Sequence, residues 1–134
     1  MSEPMFLYVE NDELSREVMR ALVTRGLGYN NITILETSDF FEDRLDNLTQ
    51  QPDVIFLDIH VQPMDGFEML TLIRRHDYLS KTPVVALTAS VMNEEVRRLR
   101  EAGFDGVIAK PINYDTFPLA LDRILSGEQI WNIK

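Results

Sequence analysis

Short apolar runs alternate five times along the chain with segments whose apolar residues recur at helical spacing. The runs predicted to form strands are residues 5–9, 31–35, 54–57, 83–87 and 106–109. Such alternation is typical of βα units, in which helices cover both faces of a parallel sheet. Residues 54–57 contain no polar position, as expected of a central strand that is buried on both faces.

Capping residues set the expected ends of the helices between these strands. The predicted helices are residues 12–26, residues 38–50, a third helix starting after Gly66, a fourth ending at Gly103, and residues 114–125. Asp12 is predicted to cap the first helix, and Ser38 or Asp39 the second. In the last helix Pro118 fits if Asp115 is the N-cap, because first-turn N–H groups have no helical partner.

Helical spacing also assigns the faces that should be buried. Leu14 and Val18 open the apolar face of the first helix, and Met92 and Leu99 belong to that of the fourth. After the last helix, residues 127–134 form a tail that carries Trp131 between two isoleucines, Ile130 and Ile133. This tail is either a strap over an apolar patch or an element that docks on a partner. The strap is the favoured interpretation.

Composition restricts the class of protein. The chain has 134 residues, 45% of them hydrophobic, with 13 basic and 22 acidic residues, a net charge of −9, two histidines and no cysteine. That length suits one domain, and the lack of cysteine excludes disulfides and Cys-based zinc sites. The negative charge opposes binding to nucleic acid or an anionic membrane, and no apolar run could span a bilayer. We expect a single cytoplasmic domain.

Polar residues follow four of the five predicted strands. Glu10 and Asn11 follow the first, Asp58 the third, Thr88 the fourth and Lys110 the fifth. In a parallel sheet these strand ends share one edge, where ligands bind. Carboxylates there suit Mg²⁺, and an aspartate can accept a phosphoryl group when cations offset the charge. Each residue alone is weak evidence for a phosphoryl-accepting site, and only their occurrence together in this order along the chain is specific.

This order resembles the receiver domain of two-component response regulators. The motifs that carry the resemblance are Tyr8-Val9-Glu10-Asn11-Asp12, Leu57-Asp58, Pro63-Met64-Asp65-Gly66, Leu87-Thr88-Ala89 and Ala109-Lys110-Pro111. They cover most of the chain, with a domain core of about residues 5–126. The resemblance implies a doubly wound α/β fold of the flavodoxin-like (βα)5 type, a five-stranded parallel sheet in the order 2-1-3-4-5.

The resemblance also implies a role for each site residue. Asp58 would be the phosphoacceptor, and Thr88 would contact the phosphoryl oxygen. Lys110 would pair with the phosphorylated aspartate, and the Lys110–Pro111 peptide bond is expected to be cis. The implied ligands of Mg²⁺ are Glu10, Asn11, Asp58 and the backbone carbonyl of His60.

Three positions depart from the family pattern. Asn11 stands where a second acid is usual, so it brings an oxygen ligand without charge and should weaken Mg²⁺ binding. Val107 stands where Tyr or Phe is frequent, which removes one part of the usual switch. Pro63 comes one place late, so the loop after Asp58 is expected to take a different path.

These observations predict a stand-alone, phosphorylation-dependent signalling switch rather than an enzyme with turnover. Its expected partners are a sensor histidine kinase or histidine phosphotransfer protein and an unknown downstream protein, and it would be a monomer or weak homodimer. One alternative is a degenerate receiver that binds partners without phosphorylation, which Asn11 and Val107 favour. A small Mg²⁺-dependent phosphohydrolase is less favoured, because His60 stands where such enzymes carry a second aspartate.

Overall fold

A computed structural model describes residues 3–131 and shows one five-stranded parallel sheet. The strands are β1 (Phe6–Val9), β2 (Ile32–Leu35), β3 (Val54–Asp58), β4 (Val84–Thr88) and β5 (Gly106–Ala109). Their spatial order is β2-β1-β3-β4-β5, and every neighbouring pair is parallel. The predicted doubly wound α/β fold and strand order are therefore confirmed.

Helices cover both faces of this sheet. They are α1 (Glu13–Arg20), α2 (Phe41–Asp46), α3 (Gly66–Arg75), α4 (Asn93–Ala102) and α5 (Phe117–Leu125), and a π-helical segment, Ala21–Gly26, continues α1. Alternate strand residues point to opposite faces, so Ile55 and Leu57 pack with α2, α3 and α4, whereas Val54 and Phe56 pack with α1 and α5. Within residues 3–131, no helix has the length and apolar character needed to cross a membrane.

The cap of the first helix is confirmed, and that of the second is wrong. Asp12 accepts a 2.8 Å hydrogen bond from the Ser15 N–H at the start of α1. The second helix is shorter than predicted and starts at Phe41, because Phe40 takes a left-handed backbone conformation with φ of 56°. Ser38 is buried, and its hydroxyl accepts a 2.7 Å hydrogen bond from the Met64 N–H instead of capping the helix.

The start of the last helix also differs from the prediction. Thr116, not Asp115, occupies the N-cap position of α5. The side-chain oxygen of Asn113 accepts hydrogen bonds from the N–H groups of both residues, at 3.2 and 2.8 Å respectively. Pro118 lies in the first turn, where its missing N–H leaves no helical bond unmade.

Two residues assigned to buried helix faces are exposed. Leu14 is 68% exposed, because it lies in the first turn of α1 and Met19 is the residue of that helix that is fully buried. Met92 is 71% exposed, because it is the N-cap of α4 and precedes the packed part of the helix. Both predictions are wrong, and both concern residues at the amino end of a helix.

The described part of the tail forms a strap along the outer edge of the sheet, in agreement with the favoured interpretation. Within this strap, residues 128–131, Ile130 makes a parallel bridge with Gly106. The Val107 N–H donates to the Ile130 carbonyl at 2.9 Å, and the Ile130 N–H donates to the Asp105 carbonyl at 3.1 Å. Ile130 is buried, and Trp131 packs half-buried on the side of the sheet that α4 covers. Ile133 lies outside the described residues.

The strap can pack against β5 only because Gly106 has no side chain. A Cβ atom there would lie 2.5 Å from Ile130 Cγ1 and 2.8 Å from the Ile130 carbonyl oxygen. Gly106→Ala is therefore expected to dislodge the strap and to lower the free energy of unfolding by about 1–3 kcal/mol. Urea denaturation measures this loss, and red-shifted emission of Trp131 would report the displacement.

Gly26→Ala is the matched control. A Cβ atom there meets nothing closer than the Ala21 carbonyl oxygen at 3.8 Å, which is an ordinary contact. This variant should keep its free energy of unfolding within about 1 kcal/mol of the wild type. Equal stability of the two variants, with unchanged Trp131 emission, would contradict the close approach of strap and sheet.

Candidate functional site

The carboxyl ends of four strands bring the predicted polar residues to one edge of the sheet. Glu10 directly follows β1, Asp58 ends β3, Thr88 ends β4 and Lys110 directly follows β5. The Lys110 Nζ atom lies 2.9 Å from Glu10 Oε1 and 3.8 Å from Asp58 Oδ2. Three of these side chains are buried, and Lys110 is partly exposed. Four separate segments of the chain thus converge on one small polar centre.

The backbone around Lys110 and Thr88 fixes the position of both side chains. The Lys110 N–H donates to the Thr88 carbonyl at 2.9 Å, which joins the ends of β4 and β5. The Thr88 hydroxyl oxygen accepts a 3.1 Å hydrogen bond from the Ser90 N–H. The Lys110–Pro111 peptide bond is cis, as the resemblance implied.

Sequence reasoning missed two residues that hold Glu10. The Tyr8 hydroxyl donates a 2.7 Å hydrogen bond to Glu10 Oε1 from inside the core. The Arg16 guanidinium donates to the Glu10 carbonyl at 3.0 Å and lies 3.7 Å from Glu36. Tyr8 could have been found from strand geometry, since residues two apart point to the same face of a strand. Arg16 left no comparable signal in the sequence.

Burial and hydrogen bonding shift the two buried carboxyl groups in opposite directions. Burial raises the pKa of Asp58 to about 6, and the hydrogen bond and negative charge of Glu10 reinforce the shift against the opposing charge of Lys110. Burial also opposes ionisation of Glu10, but hydrogen bonds from Asp58, Lys110 and Tyr8 outweigh it and lower its pKa. In mildly acidic solution Asp58 is therefore the carboxyl group of the pair that holds a proton, and Glu10 is ionised.

The donor atoms at this centre fit a hard cation. Within residues 3–131, no group of three or more His, Cys, Asp or Glu side chains is placed to hold a metal. A cation would have to use the two buried carboxylates of Glu10 and Asp58 together with neutral oxygens, for which Asn11 and the His60 carbonyl were predicted. An all-oxygen set with few charged ligands suits Mg²⁺, which retains several water ligands.

The loop after Asp58 is held close to the site. The His60 N–H donates to Asp58 Oδ1 at 3.3 Å, and the His60 side chain is exposed. Gly66, the first residue of α3, lies so close that a Cβ atom there would be 2.7 Å from Ile59 Cδ1 and 3.0 Å from Ile59 Cα. The first residue of α3 is thus packed closely against Ile59, the residue that follows Asp58.

The far part of the same loop is tied to the segment before α2. The Thr37 hydroxyl donates to the Gln62 carbonyl at 3.2 Å, and the Met64 N–H donates to Ser38. The Gln62–Pro63 peptide bond, at the proline that departs from the family spacing, is cis. Asp65 then caps α3 through a reciprocal capping box with Glu68.

A cavity of about 340 Å³ opens beside the site, between this loop and α4. Residues 59–62 and Phe67 line one wall, and Glu95, Arg98 and Leu99 of α4 line the other. Thr88 lines the same cavity, so one residue of the polar centre also faces the open space beside α4.

Comparison with known sequences identifies the family. Residues 6–122 match the response regulator receiver domain. The polar-differentiation response regulator DivK of Brucella anthropi is 31% identical over 114 residues, which cover 83% of this chain and 87% of DivK. The sensor histidine kinase AruS of Pseudomonas aeruginosa is 34% identical over 120 residues, which cover 88% of this chain but only 12% of AruS.

Solved structures show the same fold. The chemotaxis protein CheY4 of Vibrio cholerae superposes with a TM-score of 0.79 at 23% identity, covering 92% of this chain and 99% of CheY4. The receiver domain of the Pseudomonas aeruginosa sensor kinase PA1611, solved with a magnesium ion coordinated in its active site cleft, superposes with a TM-score of 0.79 at 24% identity, covering 93% of this chain and 99% of that domain. The chain is therefore a member of the response regulator receiver domain family, the signalling module of two-component systems.

Proposed function

We propose that this receiver is a phosphorylation-dependent switch in which Asp58 accepts a phosphoryl group from a phosphohistidine. The donor would be a sensor histidine kinase or a histidine phosphotransfer protein. The convergence of Asp58 with Glu10 and Lys110 at one buried edge carries the proposal, because a carboxylate that accepts an anionic group needs nearby compensating charge. The similarity to part of the sensor histidine kinase AruS, and to the receiver domain of the sensor kinase PA1611, supports a place beside such kinases.

The transfer forms one bond and breaks another. An oxygen of the ionised Asp58 carboxylate attacks phosphorus as the bond from phosphorus to the donor imidazole nitrogen breaks, and the imidazole keeps the electron pair. A protonated Asp58 must lose its proton before it can attack. Lys110 then offsets the charge of the acyl phosphate, and the Thr88 hydroxyl donates to a phosphoryl oxygen.

The residues proposed to hold Mg²⁺ are Glu10, Asn11, Asp58 and the backbone carbonyl of His60. When bound, the ion neutralises negative charge on the transferring group. Because Asn11 adds no charge, the protein itself supplies two carboxylates and one ammonium group to the site. We expect weaker Mg²⁺ binding than at a site with a third acid.

The output of the switch is proposed to be a change in a protein-binding surface. Thr88 and Lys110 lie at the ends of β4 and β5, so a phosphoryl group that engages both acts on α4, β5 and α5. Val107, which stands where the family frequently has Tyr or Phe, is buried in β5. The proposed change of surface therefore does not use an aromatic side chain at this position. The protein is proposed to act in the cytoplasm as a monomer or weak homodimer, with no turnover of a free substrate.

Intact-mass measurement after incubation with a small phosphodonor and Mg²⁺ tests this function. The wild type should gain the mass of one phosphoryl group, in a linkage that hydroxylamine removes, as expected of an acyl phosphate. Asp58→Asn should gain nothing, because an amide oxygen is too weak a nucleophile. Asp39→Asn, which makes the same charge change at an exposed site, should be phosphorylated like the wild type.

The same experiment separates the alternatives. A folded wild type that gains no mass at any Mg²⁺ concentration would contradict the switch and favour the phosphorylation-independent binding module that Asn11 and Val107 suggest. Continuous release of phosphate from generic phosphate esters would favour the phosphohydrolase instead.

A further inference from the structure

Helix α4 is held in place by few contacts. Leu99 is the one buried residue among its ten. The residues on either side of Leu99 extend in different directions along the surface. The Arg98 guanidinium carbon lies 4.9 Å from the centre of the Phe67 ring of α3, and that of Arg100 lies 4.8 Å from the centre of the Trp131 ring. The strap is therefore one of the lateral supports of α4.

The strap places Trp131 firmly enough to support the helix. Both backbone hydrogen bonds of Ile130 fix the segment to the edge of β5. The indole N–H of Trp131 donates a 2.9 Å hydrogen bond to Gln129 Oε1, which sets the orientation of the ring. A cation above an aromatic face is attracted to the ring, so the Arg100 contact favours the position of α4 that lies next to the strap.

The opposite flank of α4 borders open space. The cavity of about 340 Å³ lies towards Phe67 of α3, whereas the strap lies beyond β5 at the sheet edge. Thr88 lines this cavity and ends β4, and only residues 89–92 separate it from the start of α4. A displacement of Thr88 is therefore transmitted directly to the helix, and the cavity offers the volume that the helix can enter.

We propose that the strap is a clamp that holds α4 in its unphosphorylated position and that phosphorylation of Asp58 releases. This inference rests on the proposed function of Asp58. A phosphoryl group that binds the Thr88 hydroxyl draws the amino end of α4 towards the cavity. Since the strap lies on the other flank, this movement separates Arg100 from Trp131 and removes the support that the ring provides.

Thermodynamic linkage makes the clamp act in both directions. If phosphorylation weakens the strap contact, the strap contact must oppose phosphorylation by the same factor. Loss of the contact should therefore make the phosphorylated state easier to reach. In this way the strap regulates the site from the far side of α4, without a side chain in the site itself.

Trp131 provides the first readout, because it is the sole tryptophan of the chain. Acrylamide quenching of its fluorescence should be measured on the full chain with and without a small phosphodonor and Mg²⁺, with intact mass recorded on the same samples. Quenching should rise towards the value of the urea-unfolded chain in proportion to the phosphorylated fraction. Asp58→Asn should show no rise under the same conditions.

Two variants provide the reciprocal readout. Arg100→Gln, and separately a chain ending at Gly127, should reach half-phosphorylation at a phosphodonor concentration about two- to five-fold lower than the wild type. Arg97→Gln is the matched control, because it removes the same charge from an exposed residue of the same helix. The control should phosphorylate like the wild type.

The outcomes distinguish the clamp from the function on which it rests. A full mass increment with unchanged quenching and equal half-phosphorylation points would overturn the clamp and leave the phosphorylation switch standing. Absence of any increment would overturn both. An increment accompanied by greater protection of Trp131 would reverse the direction of the coupling and contradict the clamp.

Discussion

Lys110→Met is expected to lower the free energy of unfolding by about 2–3 kcal/mol near neutral pH in the absence of divalent cations. The Lys110 ammonium lies 2.9 Å from Glu10 and 3.8 Å from Asp58, and both carboxyl groups are buried. Methionine keeps most of the side-chain volume but leaves these groups without a cation. Breaking a fully buried pair costs about 3–5 kcal/mol, and the partial exposure of Lys110 reduces this amount.

The loss should depend on pH in a defined direction. Lys110 lowers the pKa of both carboxyl groups in the folded protein, so its removal should raise the folded pKa of each. Groups shifted in this way retain their stabilisation at low pH and lose it as the pH rises through the folded pKa. The difference from the wild type should therefore be largest above about pH 7 and small near pH 4.

Urea denaturation of both proteins in a chelator, across this pH range, measures the effect. Lys81→Met is the control, because it removes the same charge from an exposed loop and should change stability by less than about 0.5 kcal/mol. A Lys110→Met protein as stable as this control near neutral pH would show that the buried carboxylates do not need the lysine.

Asp58→Asn is expected to have the opposite effect and raise the free energy of unfolding by about 1–2 kcal/mol near neutral pH. Burial and the neighbouring Glu10 raise the pKa of Asp58 to about 6, so the folded protein holds this proton more tightly than the unfolded chain does. The stability that comes from protonated Asp58 is complete below about pH 4 and is lost as the pH rises through 6. An asparagine resembles the protonated acid and cannot ionise.

Chemical denaturation at several pH values without divalent cations checks this prediction. The variant and the wild type should have equal stability near pH 4, diverge as the pH rises to about 6, and differ by a constant amount above that. Asp39→Asn, at an exposed position, should show no such divergence. An Asp58→Asn protein that is less stable than the wild type near neutral pH would mean that Asp58 stabilises the metal-free fold, contrary to its raised pKa.

The sequence predicted the fold and the gathering of the polar residues well, because both depend on local patterns. Fully apolar runs such as residues 54–57 mark buried parallel strands, and parallel strands place the residues after them at one edge. Asp58 and Lys110, 52 positions apart along the numbering, could be placed together on this basis alone. The structure brings their charged groups to within 3.8 Å.

The predictions that failed depend on tertiary contacts. Ser38 has the residue type of a helix cap, but the loop that follows Asp58 takes its hydroxyl. Leu14 and Met92 match a helical period, yet each lies where its helix has not reached the sheet. The contact between Arg100 of α4 and Trp131 of the strap was not predicted, because no sequence pattern relates these two segments. Which neighbour each of these side chains contacts depends on the packing of the whole domain.

The loop after Asp58 is anchored at both ends, and this anchoring affects how the choice of partner protein can diverge. Its first residues are fixed by strand β3 and by the close approach of Gly66 to Ile59, and its later residues are tied to Thr37 and Ser38. His60 and Gln62 are exposed within this frame. Substitutions at these two positions can therefore change the shape and charge that an incoming protein meets while the acceptor oxygen stays in place. Partner choice and phosphoryl chemistry can evolve separately on adjacent residues.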